Sequence, residues 1–301
     1  MTVQNKRQAW IHAMRLRTLP LALSSILMGS FIAFQTSGLK WPVFLLAALT
    51  TILLQILSNL ANDYGDSING ADHVGRKGPV RAVQSGIISL TEMKSAMIIF
   101  AILSLFSGVW LLYIALEDLF KFLLFFGMGI LAILAAITYT SGSKPYGYAG
   151  LGDIAVFVFF GWLGVMGTFY LHTQSFDSSL WLPASAVGLL STAVLNINNI
   201  RDIQSDKAAG KRSVPVRIGK NAATNYHWTL LTTALLLLIV FILIEKAWGG
   251  LFYLLATPFI LKTGWALEKF DSPEKLDPYL KVMAISTFLC VLFFGLGWLI
   301  F

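Results

Sequence analysis

Nine apolar runs separated by polar or turn-rich breaks organise this chain, at residues 19–35, 42–61, 96–116, 119–139, 154–172, 180–200, 227–244, 248–267 and 281–301. Each is about 15–21 residues long, the length at which an α-helix crosses the hydrocarbon core of a bilayer, so the pattern predicts up to nine transmembrane helices. The eighth run contains Gly249, Gly250, Pro258 and Lys262. It is expected to be kinked or partly interfacial, which sets the helix count at eight or nine. Residues 6–17 mix Trp10, Ile11, Met14 and Leu16 with Lys6, Arg7, Arg15 and Arg17, a pattern suited to a helix lying along the membrane interface.

Composition points the same way. Of 301 residues 56% are hydrophobic and 12% charged, too few polar side chains to coat a soluble globule. Nine spans take up about 180 positions. The rest forms short connections, so residues 1–301 are expected to make one all-α polytopic domain with no separate catalytic domain. The formal charge of +7 is not a nucleic-acid footprint, because no folded soluble surface remains to carry it. With the N-terminus inside, only Lys40, Lys121 and Lys246 fall outside, leaving 19 of the 22 Lys and Arg residues inside. That asymmetry predicts a multi-pass protein of the inner (cytoplasmic) membrane with a cytoplasmic N-terminus and, for nine spans, an external C-terminus. The lone Cys290 is read as packing. His12, His73, His172 and His227 are scattered, and none is assigned to chemistry.

The chemistry concentrates in two inner connections. At the end of the second run, Asn62 and Asp66 are four residues apart and share a helix face, with Asp63 on an adjoining stripe and Asp72 beyond Gly70. At the end of the sixth, Asn198, Asp202 and Asp206 recur at steps of four. Each segment leads into a basic, turn-rich stretch, one containing Arg76, Lys77 and Arg81 and the other Lys211 and Arg212. The recurrence suggests a pseudo-repeat, helices 1–4 and 5–8 plus helix 9, with helices two and six facing across a cavity. Carboxylates this dense at a helix C-terminus repel one another unless a cation neutralises them. Oxygen ligands without Cys or paired His favour a hard ion. Mg²⁺ takes one or two carboxylates together with phosphate oxygens, so a lipid diphosphate fits. The ordinary alternatives are solvated linkers and interfacial salt bridges such as Asp63 with Arg81 or Asp202 with Lys211. A third inner connection, 139–153, carries Tyr139, Lys144, Tyr146 and Tyr148: the lysine can reach a phosphate, and tyrosine faces can stabilise a cation. Tyrosines of an interfacial aromatic belt are the plain reading.

The motifs Asn62-Asp63-x2-Asp66-x5-Asp72 and Asn198-x3-Asp202-x3-Asp206 resemble those of the UbiA superfamily of intramembrane prenyltransferases. The resemblance covers nearly the whole chain. It departs from the common NxxxDxxxD form at Gly70, the third acid standing at Asp72. Together with Arg15-x2-Thr18-Leu19-Pro20, the 78–86 loop, the 145–153 loop and Asn199-x-Arg201-Asp202-x3-Asp206-x4-Lys211-Arg212, this is similar to the 1,4-dihydroxy-2-naphthoate-prenylating branch of menaquinone synthesis. The resemblance implies nine helices around a lipid-accessible cavity and cytoplasmic-side Asp-rich loops. It also implies Mg²⁺-dependent transfer from a polyprenyl diphosphate to the aromatic acceptor, with loss of the carboxylate, giving demethylmenaquinone. On that basis Asp66, Asp72, Asp202 and Asp206, helped by Asn62, Asn198 and Asp63, are expected to hold Mg²⁺ and diphosphate. Arg81, Lys144, Arg201 and Lys211 are the expected diphosphate clamps, and Tyr139 or Tyr146 would stabilise the allylic cation. Other acceptors (4-hydroxybenzoate, homogentisate, haem, a chlorophyllide) remain open, as does a cation transporter, whose acids should lie near mid-span.

Overall fold

A computed structural model describes residues 5–69 and 81–301, and among them every regular element is helical. Helix α1 (Lys6–Met14) starts where the Asn5 side chain accepts the Gln8 amide, and ends at Arg15, whose φ of 47° breaks the coil. A single 3-10 turn leads into α2 (Leu19–Ser37), with Pro20 in the first turn, where its missing N–H has no helical partner to lose. The next helices are α3 (Trp41–Ile68), α4 (Leu90–Ala115) and α5 (Leu119–Thr138). Helix α4 begins six residues before its apolar run because Ser89 and Glu92 form a reciprocal capping box.

The second half opens with α6 (Gly152–Thr173), widened to a π-type coil over Phe157–Met166. It continues with α7 (Trp181–Arg201), the short α8 (Ile203–Ala208) and α9 (Val214–Glu245), which kinks at Gly219. A 3-10 segment, Trp248–Leu255, meets α10 (Thr257–Lys269) at a 43° bend, and α11 (Pro273–Ile300) closes the chain. Among the described residues eight helices are long and apolar enough to span, nine if the bent pair counts as one. The expected break in the eighth run is therefore real. It falls where Pro258, lacking an N–H, opens α10, and where the backbone of Gly249 lies against Gly297 of α11.

Helix α7 is the most buried span, packed against α6, α9 and α11, whereas α5 has no buried residue. Small residues along α7 allow the close approach: Gly188 lies under Phe157, and Gly161 of α6 meets the Ala184 carbonyl. Cys290 is buried in this main core, as expected for a packing residue.

At the C-terminal end of α3 the backbone is clamped by the turn after α5. Thr140 Oγ1 donates to the Ala61 carbonyl at 2.9 Å, Asn69 Nδ2 donates to the Thr140 carbonyl at 2.8 Å, and a Cβ on Gly65 would stand 2.5 Å from that same carbonyl oxygen. Gly65→Ala must push α3 and this turn apart and shift the adjacent Asp66. It should lower unfolding free energy by about 1–3 kcal/mol, the usual penalty for overpacking, read as a depressed thermal midpoint in detergent. An unchanged midpoint would show that the clamp is loose.

Candidate active site

A cavity of about 450 Å³ runs along the inside of the bundle. Its outer part is walled by apolar groups such as Leu111, Phe125, Phe126 and Leu171, while its inner end is polar, lined by Asn62, Asp66, Arg81, Asn198, Asp202, Asp206 and Lys211. The second run does continue as helix through Asn62 and Asp66. The stripe of Asn198, Asp202 and Asp206 does not lie on one continuous helix: α7 ends at Arg201 and Asp202 forms a junction before α8. The i→i−4 bonds nevertheless persist, with Asp202 N donating to Asn198 O at 3.0 Å and Asp206 N to Asp202 O at 2.8 Å, so the stripe bends toward the cavity rather than breaking.

The two halves of the chain meet through charge. Asp66, only 2% exposed, is held by Arg81 Nη1 at 2.6 Å, by Lys211 Nζ at 2.7 Å and by the hydroxyl of Tyr148 at 2.9 Å. The same Lys211 ammonium reaches Asp206 Oδ1 at 3.6 Å, so a carboxylate from α3 and one from α8 flank a single cation. Lys211 also sits 4.7 Å over the Tyr148 ring. Tyr148 is fixed there because its carbonyl accepts the Arg212 amide at 2.9 Å, which pins the 144–151 loop to the turn after α8. Asp202 is gripped by the fork of Arg201, Nε at 2.8 Å and Nη2 at 2.6 Å, while Arg201 Nη1 reaches Asp277 of α11 at 2.6 Å and Arg17 contacts the other oxygen of Asp277 at 3.4 Å.

Tyr139 and Tyr146 line the cavity as an edge-on pair with ring centroids 5.3 Å apart. The Tyr146 hydroxyl donates to the Ala135 carbonyl at 2.9 Å, and burial pushes its pKa up to about 12. Burial also raises the Tyr139 and Tyr148 hydroxyls well above the usual phenol range, Tyr148 further because of the Asp66 charge. All three rings therefore stay neutral at physiological pH.

Asn62, Asp66, Asn198, Asp202, Asp206, Arg81, Lys211, Tyr139 and Tyr146 all line this cavity. Asp72 lies outside the described residues, as do His73, Arg76 and Lys77. Asp63 is buried but is not part of the lining, and Arg81 Nε stands 4.0 Å from its carboxylate. Among the expected clamps, Arg201 is committed to Asp202, Asn198 and Asp277, and Lys144 is exposed and outside the lining. Among the described residues no three carboxylate, imidazole or thiol groups converge as a ready-made metal cage. The physical reason is that each motif carboxylate in the cavity already has a guanidinium or ammonium beside it, which relieves the repulsion. Tyr148, one of the three tyrosines of its loop, binds the Asp66 carboxylate, a contact its spacing does not signal, and Asp277 stands 76 residues from Arg201 with no local signal linking them.

The fold is that of solved UbiA homologues. One from Aeropyrum pernix superposes with a TM-score of 0.66 at 19% identity, covering 96% of this chain and 98% of that one. One from Archaeoglobus fulgidus, bound to GPP and Mg²⁺, gives 0.56 at 19% identity over 93% and 99%. The chain belongs to the UbiA prenyltransferase family, whose model matches residues 22–288. Among its relatives, a 1,4-dihydroxy-2-naphthoate octaprenyltransferase of Haemophilus influenzae is 46% identical over 301 residues, 99% of this chain and 98% of that protein.

Asp277→Asn removes the charge that holds the Arg201 guanidinium. It should lower unfolding free energy by about 1–3 kcal/mol, as for other charged hydrogen bonds, and its effect should be less than additive with Asp202→Asn. Thermal unfolding of both single variants and the double variant checks this; strict additivity would show that the two acids are not coupled.

Proposed function

We propose that this membrane-embedded prenyltransferase moves a polyprenyl group from a polyprenyl diphosphate onto 1,4-dihydroxy-2-naphthoate, with Mg²⁺ and with loss of the acceptor's carboxylate. The observation that carries the reading is the pair of carboxylates, Asp66 and Asp206, brought from opposite halves of the chain to one cation at the polar end of an otherwise apolar cavity. The 46% identical naphthoate octaprenyltransferase supports the acceptor, and the solved homologue bound to GPP and Mg²⁺ supports the donor and the ion.

The donor set suits a hard divalent cation: Asp66, Asp202 and Asp206 offer carboxylate oxygens, Asn62 and Asn198 offer amide oxygens, and among the described residues the lining contains no thiol or imidazole. Lys211 and Arg81 already stand beside these carboxylates as positive charges, so positive charge is what the site selects. Asp72 is assigned to the same set. Bound Mg²⁺ would neutralise charge on the departing diphosphate. Arg81 and Lys211, freed from part of their pairing, would turn to the phosphate oxygens. The apolar wall receives the isoprenoid tail and excludes water from the allylic cation, while the neutral faces of Tyr139 and Tyr146 stabilise it.

Bond by bond, the carbon–oxygen bond to diphosphate breaks and the prenyl carbon bonds to the ring. The ring–carboxylate bond then breaks, its electron pair staying in the ring, and CO₂ leaves. The balance gives the quinol, the reduced form of demethylmenaquinone. The excess of Lys and Arg on one side supports a cytoplasmic-facing site in the inner membrane, with the N-terminus inside and the C-terminus outside.

Asp66→Asn and Asp202→Asn, assayed in membranes with labelled prenyl diphosphate, Mg²⁺ and the naphthoate, should each lose about 10²-fold or more in turnover, the scale of a removed electrostatic stabiliser. Chelation of divalent ions should do the same to the unmodified protein. Near-normal turnover in both variants would reject the site, and transfer to 4-hydroxybenzoate in preference to the naphthoate would reject the acceptor.

A further inference from the structure

Among the described residues four carboxylates line the cavity: Asp66, Asp153, Asp202 and Asp206. Three of them have a guanidinium or ammonium within ion-pair distance. Asp153 has none among the described residues, although it is 9% exposed and lies where a bare carboxylate is costly. Its Oδ2 accepts the hydroxyl of Tyr226 of α9 at 3.0 Å, its own backbone amide donates to the carboxylate, and no other described residue hydrogen-bonds that carboxylate. Tyr226 is not in the cavity lining, so it fixes the carboxylate from behind. Asp153 stands in the first turn of α6, where the helix dipole favours the anion. Its neighbour Gly152 abuts the phenol of Tyr139: a Cβ there would fall 2.8 Å from the Tyr139 oxygen. A carboxylate with no cation beside it among the described residues thus shares the cavity with the aromatic wall, unlike the cation-bridged acids.

Such a group suits a proton, not a metal or a phosphate. We propose that Asp153 is the base that takes the proton from the acceptor's ring hydroxyl beside the carboxylate as the prenyl carbon bonds to the ring, and returns it when CO₂ leaves. The inference rests on the acceptor assigned above. Attack by the ring carbon bearing the carboxylate turns the adjacent C–OH into a ketone, and the hydroxyl proton passes to Asp153. The product of that step is a β-keto acid. When its carboxylate leaves as CO₂, the electron pair of the broken bond forms an enolate, which recovers the proton from Asp153 as the quinol. No net proton is consumed, so one carboxylate serves for the whole cycle. Tyr226 is a positioning residue, holding one oxygen so that the other faces the ring.

The test compares wild-type protein with Asp153→Asn, Asp153→Glu and Tyr226→Phe in membranes, varying the naphthoate and the labelled prenyl diphosphate independently. Asp153→Asn should lose about 10²-fold in kcat, the usual range for a removed acid–base group, with the KM for prenyl diphosphate within about twofold of wild type. Asp153→Glu should recover part of that loss. Tyr226→Phe should lose about fivefold in kcat, one hydrogen bond's worth, again without a change in KM for prenyl diphosphate. Wild-type kcat in Asp153→Asn overturns the assignment, and so does a loss confined to the KM for prenyl diphosphate. If Asp153→Asn does not accumulate, Tyr226→Phe decides alone, with wild-type kcat overturning the role. Wild-type protein that transfers nothing to the naphthoate removes both the acceptor and this role, whereas normal wild-type transfer undiminished in Asp153→Asn removes the role only.

Discussion

Two buried carboxylates facing one ammonium hold this molecule's two halves in register. Asp66 comes from the inner end of α3 and Asp206 from α8, and without Lys211 between them their repulsion in a low-dielectric setting would drive the ends of these helices apart. The constraint shapes its surroundings. Tyr148 must sit under Lys211 to receive it, and the Arg212 amide must hold Tyr148 there. Thr140 locks the inner end of α3, which fixes where Asp66 stands. A second network, Arg17–Asp277–Arg201–Asp202, ties the N-terminal segment and the last helix to the same end of the bundle. The polar end is therefore built by five distant parts of the chain, each unstable there without the others.

The contrast along the cavity has chemical consequences. An apolar wall of Leu, Phe and Gly residues suits the proposed isoprenoid and the exclusion of water, while the charged end suits the proposed diphosphate. At their boundary stands the half-buried Tyr139–Tyr146 pair, whose electron-rich ring faces suit the proposed carbocation without a formal charge that would combine with it. A soluble enzyme would need a lid to exclude water; here the bilayer and the bundle supply the dry environment directly.

Much of this was legible from residue order. The apolar runs located every span, and the flagged Gly249, Gly250 and Pro258 marked the one that bends. The four-residue steps found both acidic segments, since helical periodicity projects directly onto faces. Long-range pairing was less visible. Arg201 looked like a phosphate ligand from its place beside Asp202, yet its guanidinium is held by Asp277, a residue that only tertiary packing brings near. Lys144 had the right charge in the right loop, but the chain turns it outward, while Tyr148 four positions later turns in to Asp66. Helix ends were missed where capping or amphipathic turns extend a helix past its apolar run, as at Ser89 and over the first turns of α9 and α11.

The most direct measurement is an experimental structure of the protein with Mn²⁺ and a prenyl thiodiphosphate that resists ionisation, the metal located by its anomalous scattering. The account predicts metal bound between the acids of α3 and those of the α7–α8 junction, both joined to the same diphosphate, with Lys211 moved from between Asp66 and Asp206 onto the phosphate oxygens. Metal held by one acidic segment alone, or a diphosphate seated away from Arg81 and Lys211, would contradict it.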